Sequence, residues 1–101
     1  MKIVWSALAI DRAYEEARFI AEDKPEAALR WLDGLFKVTD RLERFPKSGR
    51  VVREIGSEEY REVIYRSHRV IYREGSFISI LTVRGSAQLL DVTELDPTKP
   101  G

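Results

Sequence analysis

Apolar residues fall at intervals of three and four as far as Phe45, and beyond Pro46 that spacing shortens to the alternation of strands. Lys2 to Trp5 is a short β-prone start. Ser6 follows it, with a hydroxyl able to accept from the free amides of a first helical turn. From Ala7 to Glu22, Ile10, Ala13, Tyr14, Ala17, Ile20 and Ala21 form one stripe, and its alanines admit a second helix at close range. Asp23-Lys24-Pro25 reads as the break between the two, because proline cannot continue a helix but suits the first turn of the next. The second helix is expected from Pro25 to Phe45, with Phe45 closing it against the core and Pro46 stopping it. Its centre line runs through Ala28, Leu32, Leu35, Thr39 and Leu42, with Trp31 and Val38 on one flank and Leu29 and Phe36 on the other. So wide an apolar arc predicts contact with two neighbours, the first helix and a sheet.

Past the Lys47-Ser48-Gly49-Arg50 loop, β-prone runs span Val51 to Ile55, Tyr60 to Tyr65, Arg69 to Arg73, Phe77 to Val83 and Gln88 to Val92. Arg66-Ser67 and Gly75-Ser76 are short enough for hairpins, glycine supplying a positive φ in the second. The pattern predicts an α+β fold: an N-terminal strand, an α-helical hairpin, then an antiparallel β-meander packed on the helices. One domain over residues 1–95 is expected, with a frayed tail over 96–101. A two-residue Gly75-Ser76 turn would put Arg69, Ile71 and Arg73 on one face with Ile78, Ile80, Thr82 and Arg84. Val70, Tyr72, Phe77, Leu81 and Val83 would take the other face. The second set makes the better core, so the arginines should line the side away from the helices.

Composition narrows the chemistry. The 101 residues are 44% hydrophobic and 34% charged, as befits one modest globular domain. No cysteine is present, no secretory apolar core follows Met1, and no stretch is long enough to cross a bilayer. The cytoplasm is the expected location, with no membrane partner. Seventeen basic and seventeen acidic residues cancel, so there is no overall field to attract nucleic acid. Between Tyr60 and Arg84, however, Arg61, Arg66, Arg69, Arg73 and Arg84 face only Glu62 and Glu74. A lone histidine without cysteine builds no metal site, and no glycine-rich phosphate loop or acyl-transfer triad is present. No cofactor is expected.

Several strings, in order, carry a family likeness: Trp5-Ser6 with Ala9 and Asp11, Pro25-Glu26-Ala27-Ala28, Leu42 before Phe45-Pro46-Lys47-Ser48-Gly49-Arg50, Tyr60-Arg61-Glu62-Val63 with Tyr65, Arg69-Val70-Ile71-Tyr72-Arg73 and Ile80-Leu81-Thr82-Val83. Over nearly its whole length the chain resembles the RelE/ParE toxins of type II toxin–antitoxin systems, and the Phe-Pro-x-Ser-Gly-Arg loop looks most like the ParE branch. The resemblance implies a toxin that poisons DNA gyrase by binding, without turnover, and that a cognate antitoxin silences in a hetero-oligomer. The same superfamily holds RelE-like ribosome-dependent mRNA interferases, and a toxin fold that has lost toxicity is a third reading.

A nuclease must activate a ribose hydroxyl, stabilise developing phosphorane charge and protonate a leaving oxygen. The residues available for that are Arg61, Arg69, Arg73, Arg84 and His68, and no lysine lies between Lys47 and Lys99. Where family members often carry a His and paired basic residues, this chain reads Arg84-Gly85-Ser86-Ala87-Gln88. His68, beside a turn, is expected to be solvated. Non-catalytic inhibition is therefore favoured, with Arg69, Arg73 and Arg84 as target-binding residues. Phe19, Trp31 and Val38 are apolar positions the core can spare, expected to meet the antitoxin.

Overall fold

The computed structural model describes residues 1–88, 90 and 92–95. Strand β1 (Ile3–Trp5) leads into helix α1 (Ala7–Ala21) and helix α2 (Pro25–Asp40). Strands β2 (Arg50–Val51), β3 (Tyr60–Tyr65), β4 (His68–Glu74) and β5 (Ile78–Gly85) follow, and Val92–Leu95 forms a final 3-10 turn. One sheet of order β1-β5-β4-β3-β2 results, antiparallel from β5 to β2, with β1 parallel to β5.

Ser6 caps α1 as expected. Its Oγ accepts from Ala9 N–H at 3.0 Å and donates to Leu81 O at 2.9 Å, tying the helix start to β5. Ala9, Ala13 and Ala17 carry the buried line, whereas Ile10 and Tyr14 are exposed. The stripe is thus rotated toward the smallest residues, because α1 must lie close to both α2 and β5. Helix α2 ends five residues earlier than expected, at Asp40, and tightens into a 3-10 turn over Arg41–Glu43. Phe45 does not close it against the core but is exposed. Gly34 sits where α2 meets β3: a Cβ there would lie 2.2 Å from the Tyr65 hydroxyl, which donates to Trp31 O at 2.8 Å.

Three strand expectations change. Only Val51 of the first run is in a strand, since the chain turns after Val52. The run from Gln88 to Val92 forms no strand in its described part; Leu89, Asp91 and the expected tail at 96–101 lie outside the described residues. The second hairpin turns on three residues, not two: Glu74 pairs with Ile78, Gly75 N–H donates to Phe77 O, and Gly75 needs no positive φ. The first hairpin keeps its two-residue turn, with Arg66 at φ 53°.

The longer turn shifts β5 by one residue, so Ile78 and Ile80 face the helices with Val70 and Tyr72, contrary to the two-residue reading. An extra residue, Leu81, then bulges between the partners of Ile71 and Tyr72, which returns Val83 to the helix side. Leu81 itself joins Val52, Ile71 and Leu95 on the opposite face, and Phe77 is exposed. The arginines of β4 still point away from the helices, because Val70 and Tyr72 alternate with them.

Candidate functional site

The face away from the helices presents a charged network. From β4, Arg69 donates through Nη1 and Nη2 to both oxygens of Glu54, at 2.8 and 2.9 Å, and through Nε to Glu62. Arg50 also reaches Glu62, at 3.0 Å, so one buried carboxylate bridges two guanidinium groups. Arg73 pairs with Glu59 at 3.5 Å, and Arg84 with Glu94 at 3.2 Å. Glu94 is itself buried, taking Arg12 from α1 at 3.3 Å and the Thr82 hydroxyl at 3.2 Å. All three target-binding candidates are therefore matched by carboxylates. Hydrogen bonding from Arg69 pulls the Glu54 carboxyl down to about 2, and Glu54 and Glu62 together raise the Arg69 guanidinium.

The five groups proposed for a nuclease do not converge. Arg69, Arg73 and Arg84 occupy the face just described. Arg61 alternates with Glu62 on β3, lies on the helix side, and donates to Gly49 O at 3.0 Å. His68 is also on the helix side and is not solvated: its side chain is 13% exposed, and its ring meets Trp31 edge-on at 5.3 Å. Its Nε2 lies 3.7 Å from Glu16, and its Nδ1 is buried with no hydrogen-bond partner among the described residues. His68 and Arg84 do share a recess at the sheet end, but it holds only about 70 Å³.

The antitoxin-facing candidates separate as well. Trp31 is 3% exposed and packs against Tyr65 and His68, so it offers no free surface. Phe19 is 68% exposed on α1. Val38 lines a groove of about 640 Å³ with Phe45, Ile64 and the Ser48-Gly49-Arg50 loop. That loop is clasped by buried Tyr72, whose hydroxyl donates to Pro46 O at 2.7 Å and accepts from Gly49 N–H at 3.0 Å. Burial raises the Tyr72 pKa. A Cβ on Gly49 would sit 2.6 Å from that hydroxyl, which explains the glycine.

Sequence reasoning missed the network's carboxylates. Glu62 was within reach, since it lies on the same strand face as its cross-strand neighbour Arg69. Glu54, Glu59 and Glu94 come from turns, and no periodic signal marks them. Phe45 and Ile64 were missed as groove residues because both positions read as core or strand.

Residues 3–90 match the family described as the ParE toxin of the type II toxin-antitoxin system, parDE. Among solved structures, a chain from the chromosomal ParDE TA system from P. aeruginosa shares the fold, with a TM-score of 0.68. It is 19% identical, and the match covers 84% of this chain and 95% of that one. No protein of curated function matches in sequence.

Proposed function

This chain belongs to the ParE toxin family of type II toxin–antitoxin systems, and on that premise we propose that it inhibits DNA gyrase by binding, with a cognate antitoxin to neutralise it. The observation that carries this reading is the division of the cationic groups. A ribonuclease needs cations and a proton donor converging on one phosphate. Here Arg61 lies on one face of the sheet and Arg69 and Arg73 on the other, His68 and Arg84 meet only in the recess of about 70 Å³ at the sheet end, and Arg69, Arg73 and Arg84 are each engaged by a carboxylate. Such a surface suits recognition by shape and charge pattern better than phosphoryl chemistry.

The antitoxin would use the groove beside Val38, where Phe45 and Ile64 expose apolar area next to Arg41 and Arg50. An amphipathic segment with acidic residues would meet both components. The cytoplasm is where such a target and such a partner would be found.

A supercoiling and DNA-cleavage assay with purified gyrase, run beside an in vitro translation assay, tests the proposal. Accumulation of cleaved DNA with unimpaired translation is expected. Loss of translation with gyrase intact would favour the mRNA interferase reading instead. Loss of neither, with unimpaired growth on induction without antitoxin, would point to a fold that has shed its toxicity.

A further inference from the structure

Arg69 divides its guanidinium between two carboxylates of unequal standing. Glu62, 3% exposed, holds Nε from the adjacent strand. Glu54 holds Nη1 and Nη2 as a planar bidentate pair, but it projects from a turn and its side chain is 42% exposed. The two meet in a recess of about 280 Å³ rimmed by Arg50, Arg53 and Ser86. The turn has backbone hydrogen bonds of its own, Ile55 and Gly56 N–H donating to Val52 O at 3.1 and 2.9 Å, beside the one that the Glu54 carboxylate makes to its own backbone. The Arg69 side chain, 10% exposed, is also held by Glu62 through Nε, a contact separate from the one to Glu54.

We propose that the outer edge of the Arg69 guanidinium is a carboxylate-binding site, occupied at rest by Glu54 and open to exchange for an acidic side chain of a protein partner. The fork geometry of arginine matches a planar carboxylate. At the guanidinium itself, exchange sets one monoanion in place of another, while the displaced Glu54 stays tethered in the recess beside Arg53. A dianionic phosphate would instead add charge beside Glu62. Glu54 has a solvated side onto which water can move as it lets go of Arg69, and Arg50 and Arg53 at the rim favour an incoming anion. The Glu54 carboxyl, held at about 2, is fully ionised at neutral pH and is itself the competitor. This inference rests on the binding reading above for its partner, not for the site.

The test is a sodium acetate titration of the full chain, following the Arg69 Nε–H resonance by 15N NMR in wild type, Glu54→Ala and Glu54→Gln. Tethering gives Glu54 a high effective concentration, so the variants should saturate at about tenfold lower acetate than wild type. Sodium chloride at equal ionic strength should give no saturable shift. No saturable shift in either variant, or identical titrations in all three proteins, overturns the site. Loss of fold in both variants does so too, since Glu54 would then be an obligatory structural ligand. Neither gyrase nor antitoxin is present, so a negative titration leaves the inhibitory reading standing, and a negative gyrase assay leaves the site standing.

Discussion

On the helix side of the sheet, Val70, Tyr72, Ile78, Ile80 and Val83 meet Ala13, Ala17, Trp31 and Leu35 in one continuous apolar cluster. On the other side, Val52, Ile71, Leu81 and Leu95 form a smaller cluster, neighboured by the Arg69, Arg73 and Arg84 ion pairs. Both faces are made by the same strands, and what differs is the cover. Two amphipathic helices seal the first, while turns and the short 3-10 segment Val92–Leu95 lie over the second. A face covered by turns keeps its charged groups near solvent, where carboxylates and guanidinium groups can exchange partners. On the face covered by helices, the Tyr65 hydroxyl donates to Trp31 O, which offsets the cost of burying it.

The sharpest way to break that comparison is Trp31→Ala. If the helix side is a packed core, the substitution leaves a cavity between α2, Tyr65 and His68 and should cost about 3–5 kcal/mol. Phe19→Ala, on the exposed side of α1, should stay within about 0.5 kcal/mol. Urea denaturation of both variants checks this. Similar losses in the two would mean that the distinction between core and surface helix positions is wrong.

A smaller effect is expected where the helix-side core reaches out to hold a loop. Tyr72→Phe removes the hydroxyl shared by Pro46 O and Gly49 N–H and leaves one buried N–H and one part-buried carbonyl short of a partner. The expected loss is about 1–3 kcal/mol. Amide exchange should quicken at Gly49, while β4 and β5 amides keep their order of protection. An unchanged Gly49 exchange rate would show that the loop does not need its clasp.

Local punctuation made much of the architecture legible in the sequence. Ser6 and Pro25 mark breaks that the structure keeps, and strand alternation put Arg69 and Arg73 away from the helices. What was hidden depended on long-range geometry. One extra turn residue, Phe77, and one bulged residue, Leu81, reverse the facing of Ile78 and Ile80 and then restore that of Val83. Trp31 sat on the flank of a helical wheel, and only the approach of Tyr65 and His68 turns that flank inward. The basic excess between Tyr60 and Arg84 looked like an open cationic surface. Glu54, Glu59 and Glu94 lie outside that window in sequence and pair with Arg69, Arg73 and Arg84 in space.

The second face should also answer to acid through Glu54. Its carboxyl titrates at about 2 in the folded chain against an ordinary value of 4.5, chiefly because Arg69 hydrogen-bonds the charged form. A depressed folded value means that the pair stabilises the fold above the ordinary value, and that this contribution is lost as pH falls from about 4.5 through about 2. Exposure of Glu54 screens the pair, so the effect should stay near 1 kcal/mol or below. Denaturation of wild type and Glu54→Gln at pH 7 and pH 3 measures it. Wild type should be the more stable at pH 7 by that margin, with the gap narrowing at pH 3. A constant gap would place the contribution of Glu54 in packing, and would remove the charge pair as what distinguishes this face from the helix side.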